Sequence, residues 1–369
     1  MPNDFEFDFA VVGAGIAGCT LAARLAAHGR VLLLEREAQP GLHSTGRSAA
    51  MFMESYGPPQ ARALTRASRA EIGPEVLSPR GVLYVAWQGQ EDLLAGQFAA
   101  LQASGSAVQR IDASAALARV PALQLAGLVG AIVEADAMDI DVHALHQQAL
   151  RRARALGATL WTDAELLVAQ QSPGGWTLAV SGDRSVRTRV LVDAAGAWAD
   201  TVAQRAGLAP LGLQPRRRSA FTFEAPGHEH RGWPAVVAVD EGWYFKPDAG
   251  QLLGSPANAD PVPAHDVVAE EIDIATGIAR IEERTTLVIR RPRRTWAGLR
   301  TFAPDGELVI GADPRAACFF WLAGQGGYGI QSAAGAALLA EALLLGTPLP
   351  PALLHQGVQP ERMSPARLI

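Results

Sequence analysis

The chain has 369 residues, which suits two domains or one large divided domain. Apolar residues make up 49% and charged residues 19%, so a large core is available and wholesale disorder is excluded. A net charge of -5 offers no basic face for nucleic acid, and the two cysteines, Cys19 and Cys318, stand too far apart in sequence for a disulfide scaffold or a metal-ligand motif.

The acidic opening, Met1 to Phe9, does not read as a signal or transit peptide. Residues 8–12 read as a short buried strand, 16–27 show helical periodicity closed by Gly29, and 31–34 read as a second buried strand. This βαβ unit predicts a parallel sheet. A polar loop of small residues follows at 41–50. Helical stretches are expected near 58–72 and 90–104, with a strand at 81–87 between them. A second α/β signal starts near Asp141: a helix over 142–156, strand-like runs at 158–170 and 175–181, and the buried strand 190–192 running into Ala194-Ala195-Gly196. Residues 219–260 and 284–300, rich in β-branched and aromatic residues and turn pairs, predict a mostly antiparallel sheet. Strands at 308–311 and 319–323, a glycine-rich turn and a long helix at 332–345 return the chain to α/β. That helix is interrupted by Glu341, and no stretch reaches the ~18 apolar residues of a membrane span. The expected fold is mixed α/β: a Rossmann-like domain from 1–80, 140–212 and 301–369, carrying an inserted antiparallel-sheet domain from 81–139 and 213–300. The expected address is the cytoplasm, with peripheral attachment to the inner membrane left open.

Gly13, Gly15 and Gly18 form a GxGxxG between the first strand and the first helix. The first glycine permits the tight turn, the second lets backbone approach a pyrophosphate, and the third packs the helix against the strand. The helix start at Ile16 and Ala17 then presents free N–H groups and partial positive charge to phosphates. Glu35 ends the second strand, where a carboxylate accepts hydrogen bonds from a ribose diol. A second glycine cluster, with Gly326, Gly327, Tyr328, Gly329 and Ile330, leaves a strand and opens the long helix. It favours a flavin over a nicotinamide, because a helix N-terminus there stabilises negative charge on a reduced ring. The turn at Gly196 lets a third strand end pass close to the dinucleotide.

Segments 12–18, 43–50, 213–215, 217–221, 254–261, 295–300 and 325–331 together resemble the D-amino-acid oxidase (DAO) superfamily of FAD enzymes, and within it the bacterial D-arginine dehydrogenases. The resemblance implies non-covalent FAD, and 295–306 holds no cysteine for covalent attachment. It implies that Glu35 and Arg36 hold the adenosine end. Ser44, Thr45, Gly46, Arg47, Ser48, Ala49 and Ala50 would wrap the pyrophosphate and approach the flavin, and the backbone near Glu165 would lie by the adenine. Arg218 and Arg300 would grip a substrate carboxylate with help from Tyr244. Tyr56 would ride a mobile lid, and Gly327 and Gln331 would border flavin and substrate. An arginine fork matches a carboxylate with two parallel bonds. On pattern alone Arg218 also reads as a solvated charge within Arg216-Arg217-Arg218, and Tyr244 as a sheet aromatic. His43 is expected to serve loop structure.

Arginine-specific members carry a guanidinium-binding Glu where this chain has Val82, and a His and a Thr near the substrate where it has Met51 and Met53. The expectation is an oxidative deaminase of apolar D-amino acids rather than D-arginine. Glu54 is either a replacement anion or an exposed lid residue. Glycine or N-methyl amino acid oxidation, 2-hydroxy-acid dehydrogenation and flavin binding without turnover are the alternatives. The electron acceptor is a quinone, a dye or oxygen, with the resemblance favouring the first two.

Overall fold

The computed structural model describes residues 5–369; the first four residues of the acidic opening lie outside that range. Strand Phe7–Val12, helix Ile16–Leu25 and strand Val31–Leu34 form the expected βαβ unit, with the two strands parallel. Phe7–Val12 also pairs in parallel with Arg184–Asp193, which pairs in parallel with Ala316–Ala323. The strand-like run at 158–170 is two elements. Thr159–Trp161 extends the parallel sheet beside Val31–Leu34, whereas Leu166–Ser172 crosses to the other side and pairs antiparallel with Gly175–Val180.

Strand alternation distributes the core to both faces of this sheet. Val11 and Leu33 face helices Ile16–Leu25, Val142–Ala155 and Ala333–Leu345 in one cluster, while Ala10, Val12, Leu32 and Leu34 join Trp176, Phe319 and Trp321 in another. Helix Ala333–Leu345 is buried over most of its length, which accounts for an apolar run too short to cross a membrane. Among the described residues no helix is long and apolar enough to do so. Gly335 packs so tightly on helix Pro59–Arg69 that a Cβ would meet Leu64 O at 2.4 Å.

The second sheet takes its strands from 82–134 and 214–302. It is antiparallel except where Ala235–Ala238 lies parallel to Val82–Trp87, a pairing between two chain segments that enter the sheet separately. Strand Arg294–Phe302 pairs with Gln214–Phe223 along nine residues and runs past residue 300. Helix Glu271–Arg284, absent from the sequence reading, covers this sheet with Ile274, Gly277 and Ile281. A small sheet of Met51–Phe52, Leu77–Pro79 and Met138–Ile140 lies between the two large ones in the chain order.

Candidate active site

A continuous cleft with ≈ 1560 Å³ of empty space, open mouth included, runs from the parallel sheet to the second sheet. At its first end Gly13 has φ +102°, and a Cβ there would lie 2.5 Å from Ala194 O. A Cβ on Gly18 would lie 1.9 Å from Gly13 O, so Gly18 stands behind the loop rather than on the cleft wall. Around Gly15 the only close atom is Thr45 Oγ1, at 3.2 Å, so its outer side is open. These glycines leave a cradle that side chains would fill, and it fits a dinucleotide pyrophosphate. Thr45 Oγ1 accepts from Ile16 N (3.0 Å) and Glu35 Oε2 from Ala14 N (2.9 Å), which fixes the loop before any ligand arrives.

Beneath the loop lies a group the sequence reading passed over. His146, 3% exposed, directs Nε2 at Ala14 O (2.9 Å), and Cys19 Sγ also donates to that oxygen (3.3 Å). Burial pushes the Cys19 thiol up to about 12 and the His146 imidazolium down. Neither Cys19 nor Cys318 lines the cleft.

At the end of strand Val31–Leu34, Glu35 and Arg36 line the wall. Arg36 lies 4.6 Å over the Trp198 ring, and His43 tilts against the same ring at 4.7 Å. Trp198 was legible only as part of a small-residue turn. Glu165 lines the cleft between Ala164 and Leu166, in the place the resemblance implies. Its N–H donates to Ser181 Oγ, its C=O accepts from Ser181 N, and its carboxylate pairs with Arg205 at 2.7 Å, which holds this stretch of backbone in place. Ser44, Arg47, Ser48 and Ala49 line the cleft, but the Arg47 guanidinium is committed to Val267 O, Ala297 O and Asp266. Gly46 and Ala50 stand back from the wall. A Cβ on Gly46 would meet Gly41 O at 2.8 Å, and Ala50 turns the chain with φ +59°.

At the far end the antiparallel register sorts the three consecutive arginines. Arg217 turns away from the cleft to pair with Asp273 beneath it and with Glu270 and Asp260 at the surface. Arg216 and Arg218 take the opposite face; Arg216 is exposed over Phe302, and Arg218 lines the cleft opposite Gly298. Arg300, Tyr244 and Gly327 join Arg218 there, together with Gly326, Gly329 and Ile330. Desolvation, then the charge of Arg300, lowers the Arg218 pKa. Burial acts to raise the Tyr244 hydroxyl, but the charges of Arg300 and Arg218 and hydrogen bonds from Ser255 and Arg218 outweigh it, and its pKa falls. This end is a cationic site built for an anion.

Tyr56 is not on the wall but reaches its edge, 3.4 Å from Arg300 Nη1. Gln331 corrects the sequence expectation: it is 3% exposed and faces neither cofactor nor substrate space. Its amide receives Met53 N and donates to Met53 O, Tyr56 O and Thr65 Oγ1, which pins the turn carrying Tyr56. Tyr328 is likewise a core residue, with its ring edge-on to Tyr56 and Phe302 and its hydroxyl donating to Gly306 O. Met51 and Val82 sit off the wall in one apolar cluster with Met53 and Tyr84. Glu54 is not a free anion, because Arg69 pairs with it at 2.5 Å. A carboxylate does survive beside Val82: Glu134 is its direct cross-strand partner, accepting from Ser55 and Tyr84.

Comparison with known proteins agrees with this geometry. The family model for DAO, FAD dependent oxidoreductase, matches residues 8–342. Glycine oxidase from Geobacillus kaustophilus superimposes with TM-score 0.83 at 22% identity, covering 98% of this chain and 99% of that one. L-proline dehydrogenase from P. horikoshii gives 0.83 at 19%, covering 98% of each. L-alpha-glycerophosphate oxidase from Mycoplasma pneumoniae with FAD bound gives 0.84 at 17%, covering 92% of this chain and 94% of that one.

Proposed function

The chain belongs to the DAO family of FAD-dependent oxidoreductases, and from that premise we propose that it deaminates a small amino acid oxidatively, preferring apolar D-amino acids to D-arginine. The observation that carries the proposal is the convergence of Arg218, Arg300 and Tyr244 on one end of the dinucleotide cleft.

Bound FAD supplies the acceptor for the hydride that leaves the substrate Cα. Arg218 and Arg300 bind the carboxylate, and Tyr244 adds a hydroxyl donor. Two fixed points on the carboxylate orient the Cα–H bond, and this positioning supplies most of the rate gain. The same two positive charges disfavour an ammonium nearby, so the amine loses its proton to water and enters the reaction neutral. Among the described residues lining the substrate end, no carboxylate or imidazole competes for that proton. The product imino acid is hydrolysed by water to a keto acid and ammonia. Behind the wall Met51, Met53 and Val82 form an apolar, polarisable cluster where arginine-specific members carry a Glu, a His and a Thr, which supports a preference for an uncharged side chain. Reoxidation would draw on a quinone, a dye or oxygen, with the family resemblance favouring the first two.

A second reading is glycine or N-methyl glycine oxidation, favoured by the likeness to glycine oxidase along nearly the whole chain. Anaerobic addition of D-methionine, D-leucine, D-arginine, glycine and sarcosine to the yellow holoenzyme separates the readings. Fastest bleaching of the flavin bands by D-methionine or D-leucine supports the first. Fastest bleaching by glycine or sarcosine supports the second, and fastest bleaching by D-arginine overturns the apolar assignment.

A further inference from the structure

We propose that Glu134 is a positioning residue that latches the Tyr56 turn over the substrate end of the cleft, an inference that rests on reading Arg218 and Arg300 as the carboxylate-binding pair. The turn is closed locally by Tyr56 N donating to Met53 O (3.1 Å). Gln331 holds it from the side of the long C-terminal helix. The opposite side is held by the second sheet, where Ser55 Oγ donates to Glu134 Oε2 at 2.8 Å and Tyr84 OH reaches the same oxygen at 3.1 Å. Ser55 is 7% exposed and Glu134 4%, so these bonds form away from competing water. Ser55 immediately precedes Tyr56, whose hydroxyl abuts Arg300. A displacement of Ser55 therefore moves the Tyr56 ring relative to the guanidinium that receives substrate.

Burying a carboxylate is costly unless it is well paired. Among the described residues the carboxyl of Glu134 is paired through hydroxyls alone, and burial raises its pKa. A leucine or valine at this position would suit the apolar cluster of Val82, Tyr84 and Ala137 but would leave the Ser55 and Tyr84 hydroxyls unpaired. A polar group held there against that cost acts through what it binds, and it binds the lid.

The test uses the full-length holoenzyme with Glu134→Ala, Ser55→Ala and Glu134→Gln. Amide hydrogen exchange over residues 53–57 should accelerate roughly tenfold or more in the two alanine variants, the loss expected for a buried hydrogen bond to a carboxylate. The KM of the preferred amino acid should rise by a similar factor, with kcat within about twofold and FAD affinity unchanged. Glu134→Gln keeps an acceptor for Ser55 and should restore both readouts. If Glu134→Ala does not fold, Ser55→Ala carries the test alone. Unchanged exchange at 53–57 overturns the latch, and so does faster exchange with unchanged KM. Exchange is read without substrate, so a protein that oxidises no amino acid refutes the proposed function while the exchange result still decides whether the latch exists. Tyr56→Phe with an altered KM, beside Glu134→Ala with an unaltered one, keeps the functional reading and discards Glu134.

Discussion

Arg218 and Arg300 occupy diagonal positions on one face of an antiparallel strand pair, because Arg300 stands opposite Arg216 and Arg218 opposite Gly298. Diagonal neighbours of this kind lie roughly 7–8 Å apart at the backbone, close enough for long side chains to converge on one ligand. Gly298, opposite Arg218, lets the loop at Arg47 pack close against the strand, since a Cβ there would meet Arg47 Cβ at 3.2 Å. Replacing Arg300 by Met should lower kcat/KM for the preferred amino acid by roughly 10²–10³-fold, the cost of removing one member of a desolvated charge pair. The flavin should stay bound. Steady-state kinetics with the absorbance of the bound flavin measures both, and undiminished turnover would refute the role of Arg300.

Gly327 is required for space. A Cβ at that position would fall 2.8 Å from the Tyr56 hydroxyl and 3.0 Å from Arg300 Nη1. Gly327→Ala should therefore push both side chains aside, raising KM about tenfold with little loss of FAD affinity. Equal loss of FAD would place the effect on the cofactor instead.

Asp193 ends its strand fully buried beside Val12, with Oδ1 accepting from Ala195 N and Oδ2 unpartnered. Burial, reinforced by Asp200, raises its pKa well above the usual carboxylate value. A group whose folded pKa is raised favours the folded state below its unfolded pKa, near 3.8, and penalises it as pH climbs toward the folded value. Asp193→Asn should consequently be the more stable protein above pH 4, by roughly 1–3 kcal/mol near neutrality. The gap should widen with pH until the folded pKa is passed. Thermal melts of both proteins from pH 5 to 9 provide the measurement, and a constant or inverted gap counts against a neutral Asp193.

His146 holds Ala14 from below while Glu35 holds it from the side. Removing the ring in His146→Ala frees the loop and should weaken FAD binding about tenfold, read from flavin fluorescence on dilution. The imidazole pKa is lowered in the fold, chiefly by burial. Its contribution is thus complete above the unfolded value near 6.5 and declines as pH falls through the folded one. The folding-stability deficit of the variant, read from thermal melts, should accordingly shrink in acid, and a pH-independent deficit would point to lost packing.

The βαβ unit and the glycine loop were readable because their determinants are contiguous: a buried strand, three spaced glycines and a helix start all lie within residues 7–25. The arginine run was only half readable. Which of Arg216, Arg217 and Arg218 faces the cleft depends on strand phase and on pairing with a segment some 80 residues later, and neither is local. Helix Glu271–Arg284 carried a visible Ile274, Ile278, Ile281 spacing that went unread between two stretches taken for strands. Gln331 and Tyr328 sit in the motif that signals the cofactor, yet their side chains turn inward, and only the packing of Met53, Tyr56 and Gly306 reveals it. Glu134 gave no signal, because the comparison stopped at Val82 and its partner lies across the sheet.

The cleft wall is assembled from pieces scattered along almost the whole chain, among them Gly15, Glu35, Ser44, Gly196, Leu299 and Ile330. An unfolded chain brings none of these together, so a dinucleotide that spans them binds the native state alone and acts as a removable cross-link. Each tenfold excess of free FAD over its dissociation constant then adds about 1.4 kcal/mol to the resistance of the protein to unfolding. Stripping the flavin should therefore lower the melting temperature of the protein as well as silence it.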